Sequence, residues 1–225
     1  MGGGGIEVVF LDIGGVLYSD RVYRDALLSA LREIRPEIAG RAFSEAYDAC
    51  RRDQAGSFKE RLARIFLGPD ADVGDVERRA ARYWRYPPSA LEPDAVPSLE
   101  RLHGRYRLGV VANQPSVVRE AMRRDGVDRF FDVWAVSEDL GVDKPDLAIF
   151  AHAVRVAGVE PARAAMVGDR LDYDVRPARA AGMRAVWVLR GEAPDDPTPA
   201  QLAEADAAVG TLAEVPDALL ELESR

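Results

Sequence analysis

The chain has 225 residues, of which 48% are apolar, with a formal net charge of −8 and one cysteine, Cys50. This composition supports a globular protein with a sizeable core and excludes intrinsic disorder, an intrachain disulfide and a cysteine-built metal site. The acidic balance argues against a general basic field for nucleic acid, and no run reaches the roughly 18 apolar residues of a membrane span, so we expect no nucleic-acid partner, no membrane partner and a cytoplasmic location.

Residues 2–5 are four glycines and read as a flexible leader. Residues 6–11 (IEVVFL) form a short apolar run rich in β-branched side chains, as in a strand buried on both faces of a parallel sheet. The run ends in Asp12, with Gly14 and Gly15 close behind. From residue 21 the pattern changes: Val22, Ala26, Leu27, Ala30, Leu31 and Ile34 recur at three- and four-residue spacing, which predicts an amphipathic helix. Further helices are expected over 41–52, 58–66 and 73–84, with Cys50 as a small buried apolar residue, until Pro87, Pro88 and Pro93 break the chain.

Beyond residue 95 strands and helices alternate. Strands are expected at 107–112 (RLGVVA), 131–136, 164–167, 184–189 (RAVWVL) and 207–209. Helices are expected at 115–124, 147–157, 174–181 and after Val215. Such alternation predicts an α/β fold with a doubly wound, mostly parallel sheet. The first strand needs partners that arrive only after residue 107, so the all-helical stretch reads as an insertion. The expected division is a core of residues 1–17 and 95–225 with a helical domain of residues 18–94.

In open α/β sheets ligands bind outside the carboxyl ends of the strands. The first predicted strand ends at Asp12, the second at Ala112-Asn113 and the fourth at Gly168-Asp169, with Asp172 and Asp174 following. Lys144 lies in the loop after the third, and it is one of only two lysines among 30 basic residues. Paired carboxylates hold a hard cation such as Mg²⁺ through oxygen. A cation and an ammonium together neutralise a phosphoryl group while a carboxylate attacks phosphorus. Taken singly, Asp174 reads equally as a helix cap, Asn113 as a turn residue and Asp172 as a solvated side chain.

The ordered motifs Phe10-Leu11-Asp12-Ile13-Gly14-Gly15-Val16-Leu17, Val110-Val111-Ala112-Asn113, Lys144-Pro145-Asp146 and Val167-Gly168-Asp169-Arg170-Leu171-Asp172-Tyr173-Asp174-Val175 resemble those of the haloacid dehalogenase-like hydrolase superfamily, in its phosphatase form. The segment 178–183 after the fourth motif is also typical. The resemblance implies a doubly wound core with a helical cap inserted after the first motif. It implies a Mg²⁺-dependent hydrolysis of a small phosphorylated metabolite. Asp12 would be the nucleophile and a metal ligand, the Gly14 carbonyl and Asp169 further ligands, and Lys144 the neutralising cation. Asp174 would brace the site and Asn113 would position substrate or cap.

Two positions depart from the pattern. The family's second aspartate, which protonates the leaving group, is Gly14 here, and the usual hydroxyl of the second motif is replaced by Ala112. Three readings follow: a phosphatase limited to good leaving groups, a non-catalytic binding or regulatory protein, and a 2-haloacid dehalogenase-like hydrolase, whose leaving halide needs no proton. In the helical region Arg21, Tyr23, Arg24, Arg51, Arg52, Lys59, Arg61 and Arg64, with Tyr18 before it, are candidates to meet an anionic substrate. Tyr83, Trp84 and Tyr86 read as packing at a helix end or hinge. The sequence leaves the oligomeric state open.

Overall fold

The computed structural model describes residues 5–224, so of the expected glycine leader all but Gly5 lies outside the described residues. Six strands form one parallel sheet: β1 Val8–Leu11, β2 Arg107–Ala112, β3 Val133–Val136, β4 Ala164–Gly168, β5 Arg184–Val188 and β6 Ala207–Val209. They lie in the order β3-β2-β1-β4-β5-β6. The first strand is thus central, flanked by β2 and β4, with Leu11 beside Val110 on one side and Val167 on the other. The order reverses at β1, and the carboxyl ends of β1 and β4 border the crevice this creates.

The apolar runs are continuous because both faces are covered. Alternate side chains of β1 serve opposite layers: Val9 and Leu11 join one core, Val8 and Phe10 the other. The helices are α1 Arg21–Ile34, α2 Gly40–Asp53, α3 Phe58–Leu67, α4 Val73–Tyr83, α5 Ala95–His103, α6 Val118–Arg124, α7 Ser137–Leu140, α8 Leu147–Ala157, α9 Arg176–Ala180, α10 Pro199–Leu202 and α11 Val215–Glu223. Leu99 of α5, Met122 of α6 and Leu219 of α11 pack on the first face. Ile149 and Phe150 of α8 and Ala178 of α9 pack on the second.

Helices α1–α4 carry a core of their own. Leu27, Leu31, Phe43, Cys50, Leu62 and Val76 are fully buried against one another. Each such Leu or Phe stabilises the fold by about 1.5–3 kcal/mol through burial. The chain enters and leaves this region side by side: Ser19 N–H donates to Ala90 O at 2.8 Å and Glu92 N–H to Leu17 O at 2.9 Å.

Element boundaries follow the sequence expectation to within a few residues; the strand expected over 6–11 begins at Val8, and α5, α7 and α10 fall outside the expected helices. The strand expected over 131–136 begins only at Val133. The helix expected over 115–124 begins at Val118. The helix expected from residue 174 begins at Arg176, because Leu171–Val175 forms a wider turn that carries Asp174 back under the sheet end. No helix among the described residues is long and apolar enough to cross a membrane.

Candidate active site

Asp12 follows β1 and is held by both neighbours. Its Oδ1 accepts from the Ile13 N–H at 2.8 Å and stands 2.9 Å from Lys144 Nζ. Lys144 in turn donates to Asp174 Oδ1 at 2.6 Å. Its side chain is 2% exposed, and that of Asp174 is 0% exposed. Burial alone would discharge this lysine, but Asp12 and Asp174 outweigh it and hold the ammonium above its ordinary pKa. Burial pushes Asp12 up to about 6; Lys144 opposes the rise and Asp174 adds to it.

Asp174 is neither a helix cap nor solvated. Its second oxygen accepts from the Arg170 N–H at 3.0 Å, so both oxygens are committed within the protein. Gly168 makes room for it, since a Cβ there would collide with the Asp174 carboxyl. Asp172, expected to be solvated, pairs instead with Arg170 at 2.7 Å, their side chains 12% and 8% exposed. The guanidinium also reaches Glu192 at 2.9 Å and the Gly56 carbonyl at 2.9 Å, so the solvated reading fails because a buried cation sits beside it.

Asn113 follows β2 and uses its side-chain amide on the backbone of Lys144. It accepts from the Lys144 N–H at 2.7 Å and donates to the Lys144 carbonyl at 2.8 Å. The residue therefore fixes the loop that carries the ammonium. Ala112 before it is fully buried and offers a methyl where a hydroxyl was expected.

Oxygens of Asp12, Asp169 and Asp174 lie within 4.8 Å of one another, a group that could hold a divalent cation. The donors fit a hard ion: they are carboxylate oxygens gathered at the ends of adjacent strands. Of the three, Asp174 already has both oxygens engaged, by Lys144 and by the Arg170 N–H. Burial raises Asp169, and the neighbouring charges of Asp20, Asp174 and Asp12 raise it further. Asp169 accepts from the Glu192 N–H at 2.6 Å. The glycines are demanded by the crowding. Gly15 has φ +66°, and a Cβ on either Gly15 or Gly191 would strike the carboxylates of Asp169 and Asp20. Arg190 pins this loop from outside, donating to the Gly15 carbonyl at 3.0 Å and to Asp94 at 2.8 Å.

A cleft of about 1270 Å³ opens over these groups, lined by Asp12, Asp20, Asn113, Lys144 and Asp169 from below and by Tyr23, Lys59, Glu77, Arg78 and Trp84 from the helical region. Of the helical-region candidates read from sequence, Tyr23 and Lys59 line it. Arg51 docks on the Ala193 carbonyl and Asp195 instead, Arg24 on Ser44, Arg61 on Asp53 and Arg64 on Glu60. Tyr18 is fully buried and donates to Asp125 at 2.8 Å. Trp84 packs on Tyr23 at 4.8 Å and on Tyr86 at 6.1 Å between ring centres, and both Trp84 and Tyr86 face the cleft, whereas Tyr83 is 44% exposed and donates to Glu33.

Sequence reasoning missed Asp20, Gln54, Gln114 and Glu192. Asp20 looks like an ordinary cap before α1, yet its side chain caps no N–H and lines the cleft. Gln114 is 8% exposed and receives the Tyr86 hydroxyl on its amide oxygen.

A family model described as haloacid dehalogenase-like hydrolase matches residues 6–182. The chain is 38% identical over 168 residues to a phosphoserine phosphatase of Thermus thermophilus, covering 72% of this chain and 65% of that protein. It is 31% identical over 202 residues to a glyceraldehyde 3-phosphate phosphatase of Methanopyrus kandleri, covering 84% of this chain and 87% of that protein. Among solved structures it superposes on a HAD phosphatase from Thermococcus onnurineus with a TM-score of 0.62 and 26% identity, over 95% of this chain and 98% of that one.

Proposed function

The chain belongs to the haloacid dehalogenase-like hydrolases, and from that premise we propose that it is a Mg²⁺-dependent phosphomonoester hydrolase that works on a small phosphorylated metabolite through a phosphoaspartate on Asp12. The observation that carries the reading is the buried Lys144 ammonium, 2.9 Å from Asp12 Oδ1, beside a gathered set of carboxylates at adjacent strand ends. An ammonium and a cation-binding acid set on either side of a carboxylate suit a dianionic phosphoryl group. Displacement of halide would leave Asp169 without a task, which favours the phosphatase reading over the dehalogenase one. Two relatives, a phosphoserine phosphatase and a glyceraldehyde 3-phosphate phosphatase, are named for substrates of the same chemical class.

The roles follow from the contacts. Lys144 and the Ile13 N–H hold Asp12 Oδ1, which leaves Oδ2 as the oxygen that meets phosphorus. Asp174 keeps Lys144 charged and aimed, and Asn113 holds its backbone. Asp12, Asp169 and the Gly14 carbonyl would hold Mg²⁺, which when bound supplies charge neutralisation at the phosphoryl oxygens. Residues 18–94 form the cap and the remaining residues the core. Tyr23, Lys59, Arg78 and Trp84 close the cleft from above, exclude water and meet the part of the substrate beyond phosphate.

The test is a panel of phosphate esters assayed with Mg²⁺, using Asp12→Asn as the blank. At least one small phosphomonoester is hydrolysed by the wild type, and the variant falls to background while its circular dichroism is unchanged. Full turnover in Asp12→Asn would refute the assignment.

A further inference from the structure

Gly14 removes a carboxyl from the loop after β1, and the fold places another carboxyl in the vacated space. A Cβ built on Gly14 would lie 2.7 Å from Asp20 Oδ1. That is closer than two unbonded atoms approach, so the Asp20 carboxyl occupies space that a side chain at residue 14 would need. Gln114 Nε2 lies 3.5 Å from the same point.

Asp20 does none of the ordinary work of its position. It precedes α1, yet its side chain caps no N–H. Its Oδ2 is buried and meets no N–H or hydroxyl donor, only the carboxyl of Asp169 beside it. Gly15 and Gly191 leave this oxygen its place, since a Cβ on either would come within 2.6 Å and 2.5 Å of it. Nor is Asp20 one of the three carboxylates whose oxygens gather within 4.8 Å. It lines the cleft beside Asp12 and Gly14. A carboxyl group that answers no donor of the fold, lies beside Asp169 and lines the cleft next to the nucleophile is placed for chemistry.

We infer that Asp20 is a catalytic residue that supplies the carboxyl group missing at residue 14. The inference rests on the phosphomonoesterase reading. In the first step an Asp12 oxygen forms a bond to phosphorus and the ester P–O bond breaks. The electron pair leaves with the ester oxygen, which takes the proton of the Asp20 carboxyl. In the second step a water oxygen bonds to phosphorus, its proton passes to the Asp20 carboxylate, and the bond from phosphorus to Asp12 breaks. Inorganic phosphate, the alcohol and the original pair of carboxyl groups are the outcome.

The test compares wild type, Asp20→Asn and the double variant Gly14→Asp/Asp20→Ser on glycerol phosphate and 4-nitrophenyl phosphate with Mg²⁺. Asp20→Asn should lose about 10²- to 10⁴-fold in turnover of the alkyl ester. With the aryl ester it should release one nitrophenolate per protein in a burst and then stall, because that leaving group needs no proton while the second step still does. The double variant moves the carboxyl to residue 14 and should recover alkyl turnover. A purely structural role for Asp20 would slow both esters alike, without a burst. Equal losses on the two esters, or unchanged alkyl turnover in Asp20→Asn, would overturn the inference while leaving the phosphatase reading intact. Wild-type turnover of aryl but of no alkyl ester in the panel also overturns the inference, and failure to exceed the Asp12→Asn blank on every ester of the panel overturns both.

Discussion

Lys144 shows how one side chain decides what a site can do. Its ammonium bridges Asp12 at 2.9 Å and Asp174 at 2.6 Å with almost no exposure. The gap fits a compact point charge, and a guanidinium fork cannot occupy it without pushing the carboxylates apart. Lys144→Arg should therefore reduce phosphatase activity to the Asp12→Asn blank. Lys144→Met should also destabilise the fold by about 3–5 kcal/mol in denaturant titration, because two buried carboxylates lose their counter-charge. Activity in Lys144→Arg near the wild-type level would show that any cation suffices there. The prominence of Lys144 in an arginine-rich chain was legible in the sequence. Its partner Asn113 was legible as a strand-end residue, but its use of both amide ends on the Lys144 backbone depends on how two loops meet. Asp20 was hidden because an aspartate before a helix has a common local explanation, and only three-dimensional proximity to Gly14 sets that aside.

At the scale of elements, the strands and the four cap helices were legible because their apolar spacing records which faces they bury. The way the cap docks was not, because it rests on polar side chains with no periodicity. Gln54 ends α2 in the left-handed region at φ 48°, where glycine or asparagine is more usual. Its buried side chain explains the choice. The amide accepts from the Leu171 N–H at 2.8 Å and donates to the Glu192 carbonyl at 2.7 Å, tying the cap to the loops after β4 and β5. Arg170 reaches back from the core to the Gly56 carbonyl at 2.9 Å. Gln54→Ala keeps the backbone strain and loses these ties. We predict at least tenfold faster hydrogen exchange at the Leu171 amide in that variant, with exchange in β1 unchanged. Equal exchange rates at Leu171 in the two proteins would show that the cap is held by other contacts.

For the whole molecule, the parallel sheet with β1 at its centre brings residues more than a hundred positions apart to one rim, and the site is a consequence of that order. Asp169 and Asp174 are buried there and Asp12 and Asp20 half-buried, with Lys144 the cation among them, an arrangement that favours a bound divalent ion. Mg²⁺ should bind the folded state alone and raise the thermal midpoint, with about 2.7 kcal/mol of added stability at a hundredfold excess over its dissociation constant. Asp169→Asn should lose most of that shift and show weakened binding in calorimetry; an undiminished shift would remove Asp169 from the metal site. The central claim, a phosphoryl group carried by Asp12, is tested most directly by rapid acid quench during turnover in water enriched in heavy oxygen, followed by peptide mass spectrometry. The account predicts phosphate on the Asp12 peptide at early times and heavy oxygen in the released phosphate, with none in the Asp12 carboxylate. Heavy oxygen in the Asp12 carboxylate, or turnover with no phosphorylated Asp12 at any time, would contradict it.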